Sequence, residues 1–284
     1  MAVVVITGCS SGLGRLTALA FARRGDRVYA TMRRAERGRD LVEVGVDEGL
    51  DIRVLELDVT DEWSVKQAVA HVLDTEGRID VLVNNAGLLH FGSVELLPDE
   101  LMRATFETNL FGPVRLLRAV LPAMRSQRSG VVVNVSSVAG RVAGVPTFWS
   151  YTASKHGLSV LSDSLAVELE PFGIRVICIE PGFFTTDIVA KAPRPSDEES
   201  PYRVLDDAVV TFMEGGIAGG ADAGSVPRAV LDAVDSDDER VHVVVGEDAE
   251  FFLGQQQSLS EAEMTAFYKD VLGIQTGVPV DASV

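Results

Sequence analysis

The apolar positions of this chain fall in short Val/Ile-rich runs separated by longer stretches of helical periodicity. The first run, residues 3–6, ends in Thr7-Gly8 and is followed by an amphipathic stretch over 13–24 closed by Gly25. Residues 28–31, 52–57, 81–84, 131–135, 174–179 and 241–245 continue the series, which predicts seven strands. The runs are Val/Ile-rich throughout rather than alternating, the pattern of strands buried on both faces of a parallel sheet. Helices are predicted between them: 61–76 with Thr60 or Asp61 as cap and Gly77 past its end, 99–128 with a break near Gly112-Pro113, and 150–170 up to Pro171-Phe172-Gly173. Regular strand–helix alternation predicts a single-domain, Rossmann-like, doubly wound α/β fold with helices on both faces of about seven strands.

Within that pattern, residues 185–224 form the one irregular stretch, with Pro193, Pro195, the acidic Asp197–Glu199 run and several glycines. This stretch is expected to be an excursion over the carboxyl edge of the sheet, inside a Rossmann-type domain spanning 1–246. Residues 247–284 are expected to form a C-terminal extension packing on the same domain, with an amphipathic segment over 260–272.

Composition narrows the classes. The 284 residues are 46% hydrophobic and 24% charged, ordinary for a globular enzyme that needs no disulfides to hold its core. With 25 basic against 42 acidic residues the net charge is −17, which argues against nucleic acid and anionic membrane as partners. No run approaches the ~18 apolar residues of a membrane span, and the first residues lack the basic region of a signal peptide. Cys9 and Cys178 lie far apart and are read as thiols of a reducing compartment, so a cytoplasmic location is expected. Two cysteines and four scattered histidines give no zinc-ligand spacing, and no metal is expected.

The chemistry-bearing residues sit at strand ends. Gly8, Ser10, Ser11, Gly12, Leu13 and Gly14 follow the first strand and open a helix, where backbone N–H groups and the helix N-terminus favour a pyrophosphate. The spacing is Gly-x3-Gly-x-Gly. Asn84-Asn85-Ala86-Gly87 follows strand four, Asn109 lies in the long helix, Ser136-Ser137-Val138-Ala139-Gly140 ends strand five, Tyr151-Thr152-Ala153-Ser154-Lys155 opens the next helix, and Pro181-Gly182 with Thr186 follows strand six. Tyr151 and Lys155, four apart, share one helix face. An ammonium beside a phenol favours the phenolate and draws its pKa down from near 10 toward the working range.

In this order and spacing, over about residues 2–246, the chain resembles the short-chain dehydrogenase/reductase family. The segment 28–33 and Asn109-Leu110-Phe111-Gly112 look most like its 17β-hydroxysteroid and retinol dehydrogenase branch. The resemblance implies that Tyr151 exchanges a proton with the substrate oxygen and that Lys155 holds the nicotinamide ribose and tunes Tyr151. It implies further that a serine hydroxyl bonds the substrate oxygen and that Asn109 binds a water linking Lys155 to solvent. The serine is taken as Ser137. The position thirteen before Tyr151 is Val138, which cannot polarise a carbonyl, so the 141–150 loop is expected to hold one extra residue. Asn85, Ala86, Gly87, Pro181, Gly182 and Thr186 are expected to touch the cofactor, with Asp58 and Val59 at the adenine. Relatives commonly form homodimers or homotetramers, and the same is expected here.

A carboxylate at the end of strand two selects NAD(H). Met32 stands there instead, followed by Arg33 and Arg34, and a guanidinium suits a 2′-phosphate. NADP(H) is therefore expected, with Arg33 as the main determinant and NAD(H) as the alternative. His90, Phe148, Trp149, Phe183 and Phe184, with Leu88 and Val142, are expected around a small hydrophobic ketone, aldehyde or alcohol. The rival readings are a reductase of carrier-bound 3-ketoacyl groups and a non-enzymatic, cofactor-binding regulator.

Overall fold

The computed structural model describes residues 1–142, 144–185, 188–190, 192 and 200–274. Strands β1 (Val3–Ile6), β2 (Arg27–Met32), β3 (Ile52–Glu56), β4 (Val81–Asn84), β5 (Gly130–Val135), β6 (Ile174–Pro181) and β7 (His242–Val245) form one parallel sheet in the order β3-β2-β1-β4-β5-β6-β7. The sequence places all seven within two residues of these bounds. After β3 the chain crosses back to lay β4 beside β1, with Val4 opposite Val81. That reversal opens a crevice at the carboxyl ends of β1 and β4, the place where such sheets bind ligands.

Successive strand residues face opposite sides, and each side is covered. Val4, Ile6, Val28, Ala30 and Val133 pack on α1 (Gly12–Arg23), on Leu41 of α2 (Arg39–Glu48) and on Val226 and Val230 of α8 (Ser225–Asp235). Val3, Val5, Tyr29, Leu82 and Val132 pack on α3 (Glu62–Glu76), α5 (Gly112–Gln127) and α6 (Trp149–Leu169). Asp61 caps α3 by accepting from the Trp63 and Ser64 amides, and Gly77 ends it at φ 71°. Both agree with the reading of the sequence.

Two regions differ from that reading. The 99–128 stretch is α4 (Asp99–Phe106), a π turn over Glu107–Phe111, and α5. The break comes as one widened turn before Pro113, which cannot donate the N–H that would continue the helix. The stretch expected to be irregular contains α7 (Arg203–Ala218), and α9 (Glu247–Ser258) and α10 (Glu261–Val271) follow β7. The α10 start carries a full capping box: Ser260 Oγ accepts from the Glu263 amide, and Glu263 accepts from the Ser260 amide.

A buried polar cluster braces α6. Glu180, fully buried on β6, accepts from Arg141 (3.2 Å) and lies 2.8 Å from His242 Nδ1, whose Nε2 lies 2.7 Å from Asp163. Ser159 bonds Glu180 at 3.4 Å and Ser136 at 3.0 Å, and Ser136 Oγ donates to the Lys155 carbonyl. Cys178, Glu180 and His242 bring possible metal donors within 4.8 Å, but Arg141 already neutralises Glu180 and both His242 nitrogens are engaged. The arrangement is an ion-pair network. Hydrogen bonding to Cys178, then Glu180, raises His242 from 6.5 to about 10 against the effect of burial, with Asp163 adding to the rise. A raised folded-state pKa stabilises fully below the unfolded value and loses that contribution as pH climbs through the folded one. Denaturation of wild type and His242→Gln should therefore show their largest stability gap at pH 6, closing toward pH 10; a gap independent of pH would refute the charged pairing.

Candidate active site

The floor of the crevice is built by contact between the loops after β1 and β4. The Asn85 and Ala86 amides both donate to Thr7 Oγ1 at 3.0 Å, and Asn85 Nδ2 donates to the Thr7 carbonyl at 2.8 Å. This closeness requires glycine at two places. A Cβ on Gly8, whose φ is +74°, would lie 2.8 Å from Ala86 Cα, and one on Gly14 would lie 2.3 Å from Asn85 Nδ2 and 2.5 Å from the Gly8 oxygen. Gly8, Ser10, Ser11, Gly12, Leu13 and Gly14 all line the resulting cleft, with α1 starting at Gly12. The cradle and helix start fit a pyrophosphate.

At the β2 end, Met32 is buried and Arg33 is exposed on the cleft wall, while Arg34 is exposed but off it. A 3₁₀ turn over Ala35–Gly38 packs Gly38 against Val54 and Met32 and returns Arg37 to the same wall. Arg37 is a residue that sequence reasoning missed, since only the turn brings it beside Arg33. Asp58, Val59 and Thr60 face them, with Asp58 Oδ1 accepting from the Thr60 amide (2.9 Å) and hydroxyl (2.8 Å).

Tyr151 and Lys155 lie in the first two turns of α6, and both are buried. Lys155 Nζ donates to the Val135 carbonyl at 2.7 Å and stands 5.7 Å from the Tyr151 ring centroid. Asn109, within the π turn, donates from Nδ2 to the Leu88 carbonyl (2.8 Å) and Ser154 Oγ (3.0 Å) and accepts from the Leu88 amide (2.9 Å). It thereby fixes the segment after Gly87 beside Lys155, and a Cβ on Gly87 would sit 3.7 Å from Nζ. Ser137, half-buried on the cleft wall, accepts from the Ala139 amide and donates weakly to the Pro181 carbonyl. Ser136 faces the opposite way, into α6, and the Val138 side chain packs with Val142 and Ala249.

Burial sets the charges here. It pushes the Tyr151 phenol up to about 12, with a Ser137 hydrogen bond pulling the other way, and draws Lys155 down to about 8. Desolvation of the phenolate is thus the dominant influence on Tyr151.

The remaining wall is apolar, in a cleft of about 580 Å³. Phe148 lies between Phe91 (5.6 Å) and Tyr151 (4.8 Å between centroids). Phe183, Phe184, Leu88 and Val142 also line the cleft, as does His90, whose Nδ1 lies 3.1 Å from Thr105 Oγ1 and whose pKa is lowered by burial. Trp149 does not line it; as the first residue of α6 its side chain is directed elsewhere than Phe148 and Tyr151. Thr186 lies outside the described residues. Pro181 and Gly182 are on the wall, and Gly182 is pinned against Asp248 of α9, whose carboxylate accepts from the Phe183 amide at 2.5 Å. Through that tie the extension enters the site: Phe252 of α9 and Tyr268 of α10 line the cleft with Phe212 and Met213 of α7. Nothing in local sequence spacing relates these residues to Tyr151.

Sheet order, the glycine-lined loop after β1 and the buried Tyr151–Lys155 pair beside it define an α/β protein with the architecture of a dinucleotide-binding enzyme. Residues 2–197 match the sequence model of the family described as short chain dehydrogenase. The chain is 40% identical over 184 residues to the 3-ketodihydrosphingosine reductase of Bacteroides thetaiotaomicron, covering 65% of this chain and 64% of that protein's length. A short-chain dehydrogenase from Streptomyces avermitilis superposes with a TM-score of 0.84 at 37% identity, covering 96% of this chain and 98% of that one. An alcohol dehydrogenase from Thermococcus sibiricus, complexed with 5-hydroxy-NADP, gives 0.72 at 25% identity over 87% of this chain and 96% of that one. The chain belongs to the short-chain dehydrogenase/reductase family of oxidoreductases. Among the described residues no helix is long and apolar enough to cross a membrane.

Proposed function

We propose that this protein is an NADP(H)-dependent oxidoreductase that interconverts an apolar ketone or aldehyde and its alcohol. The observation that carries the reading is the placement of buried Tyr151, Lys155 and half-buried Ser137 where the phosphate-cradle half of the cleft meets its aromatic half. The nicotinamide, when bound, supplies or takes the hydride. Gly8, Gly12 and Gly14 with the start of α1 would hold the pyrophosphate, Asp58 and Val59 the adenine end, and Asn85–Gly87, Pro181 and Gly182 the nicotinamide end. Tyr151, held neutral by burial, protonates the carbonyl oxygen in reduction and removes the proton in oxidation. The Ser137 hydroxyl donates to the same oxygen as charge develops on it. Lys155, cationic below about pH 8, stabilises the phenolate left on Tyr151. Asn109 fixes Leu88 beside Lys155, and a water there returns protons from solvent.

The apolar wall supports a lipophilic substrate, and a relative bearing the name 3-ketodihydrosphingosine reductase agrees with that. Buried thiols at Cys9 and Cys178 support a reducing, cytoplasmic setting, and exposed Val160 and Val167 on α6 support a homo-oligomeric surface. Asp248, Phe252 and Tyr268 support treating the extension after residue 246 as part of the same domain.

The test is NADPH absorbance against a carbonyl panel of steroid ketones, retinal, 3-ketodihydrosphingosine and a 3-ketoacyl thioester. Turnover of the lipophilic carbonyls is expected. Preference for the thioester would favour the carrier-bound reading, and tight NADPH binding with no turnover of any member would favour the regulator.

A further inference from the structure

Where a strand ends, the backbone groups that run on past it must find new partners. Beyond β6 the residues Pro181, Gly182 and Phe183 line the cleft. The Gly182 amide donates to the Val245 carbonyl of β7 at 2.9 Å, and the Phe183 carbonyl accepts from the Ala221 amide at 3.2 Å. Both bonds join backbone to backbone and do not depend on side-chain identity. The Phe183 amide differs: its acceptor is a side chain, the Asp248 carboxylate, 65 residues further along the chain.

The fit around that carboxylate is close. A Cβ on Gly182 would run into both of its oxygens, and one on Gly246, at φ +111°, would lie 2.5 Å from Oδ1. The two glycines thus leave the space that the carboxylate fills. Asp248 stands in the first turn of α9, where the helix N-terminus favours a negative charge. The Phe183 ring meanwhile rests on α7, where a Cβ on Gly216 would lie 2.8 Å from it. Without the carboxylate the Phe183 amide would lose its acceptor, and a void beside Gly182 would free this stretch of wall to shift.

We infer that Asp248 is a positioning residue for the nicotinamide end of the cofactor. It fixes Gly182 and Phe183, and through them the wall on that side, without lining the cleft itself. The inference rests on the cofactor reading above and not on the identity of the substrate. The phosphate and adenine side, with Gly8, Gly12, Arg33, Arg37 and Asp58, makes no bond to Asp248 among the described residues. The effect of Asp248 is therefore confined to one half of the ligand.

The test is calorimetric binding of two probes, NADPH and adenosine 2′,5′-bisphosphate, which carries the adenosine and 2′-phosphate of NADPH but no nicotinamide. Asp248→Ala should raise the Kd for NADPH about tenfold, as expected when one hydrogen bond to a charged group is lost, and leave that for the bisphosphate within about twofold. Asp248→Asn, whose amide oxygen accepts the same bond, should restore the wild-type ratio of the two constants. Asp248→Glu keeps the charge at the start of α9 but outgrows the space between the two glycines, so it should show the loss of the alanine variant. Equal weakening of both probes would reveal a general structural role. An unchanged ratio in Asp248→Ala, or a wild-type ratio in Asp248→Glu, would show that the bond to Phe183 does not shape the site. Each of these overturns the inference. Should the alanine variant fail to fold, the glutamate variant carries the same expectation and the same refutation. Wild type that binds neither probe would instead defeat the cofactor reading on which the inference depends.

Discussion

Tyr151→Phe is expected to lower kcat/KM for ketone reduction by about 10²–10⁴-fold, the range over which a positioned general acid acts, while NADPH binding followed by fluorescence is retained. The substitution removes one oxygen and leaves the ring packed on Phe148 and beside the Lys155 side chain. Its effect therefore isolates proton transfer from the architecture of α6. A phenol at about 12 is fully protonated at neutral pH, ready to donate. The cation that accommodates the resulting phenolate is another matter, because Lys155 titrates near 8. Reduction should accordingly be sustained below about pH 8 and decline above it as Lys155 loses its proton. Turnover by Tyr151→Phe at the wild-type rate would place the acid elsewhere, and His90, held by Thr105 on the same wall, would be the next group to examine.

The strands were legible in the sequence because a sheet covered on both faces needs Val/Ile-rich runs, and β1, β4 and β5 are mostly valine and isoleucine or leucine. Helix α2 was not, because its apolar residues Leu41, Val42, Val44 and Val46 fall at nearly alternating positions, although only Leu41 and Val44 of these pack on the core and Val42 and Val46 are exposed. Helix α7 was hidden for a different reason: Gly215 and Gly216 and the proline-bearing segment before it read as loop, yet Val209, Val210 and Met213 pack in one apolar cluster with Phe148. The same division holds within the cleft. The cradle, the Tyr–Lys pair and the Asn85–Gly87 turn occur in an order along the strand ends that resembles the family's, and that order, not any one spacing, picks them out. Arg37 depends on a 3₁₀ turn, and Phe252 and Tyr268 depend on Asp248 reaching back to Phe183. Trp149 shows the reverse error: aromatic character and proximity to Tyr151 in sequence suggested the cleft, but the helical rotation of one residue takes it off the wall. What tertiary contact assembles, periodicity cannot report.

That distinction bears most on cofactor choice, where one of the two arginines was visible in the sequence and the other was not. Arg33→Ala and Arg37→Ala are each expected to raise the KM for NADPH about tenfold, and the double variant about 100-fold, with the KM for NADH little altered. A hydrogen bond to a charged group contributes about 1.5–3 kcal/mol when well formed, and about 1.4 kcal/mol corresponds to a tenfold change. The lower figure applies because both guanidinium groups are exposed, where solvent and salt screen them. For the same reason the preference for NADPH should weaken as ionic strength rises, and the double variant should lose that salt dependence. Met32 sharpens the argument, since its buried side chain under Gly38 offers no carboxylate to hold a ribose hydroxyl or repel a phosphate. Selectivity at this edge is then set by attraction alone, and removing the attraction should yield an enzyme that no longer distinguishes the two cofactors. If instead wild type prefers NADH and neither arginine changes the ratio, the 2′-phosphate reading of this wall is wrong and the arginines serve only as solvated surface.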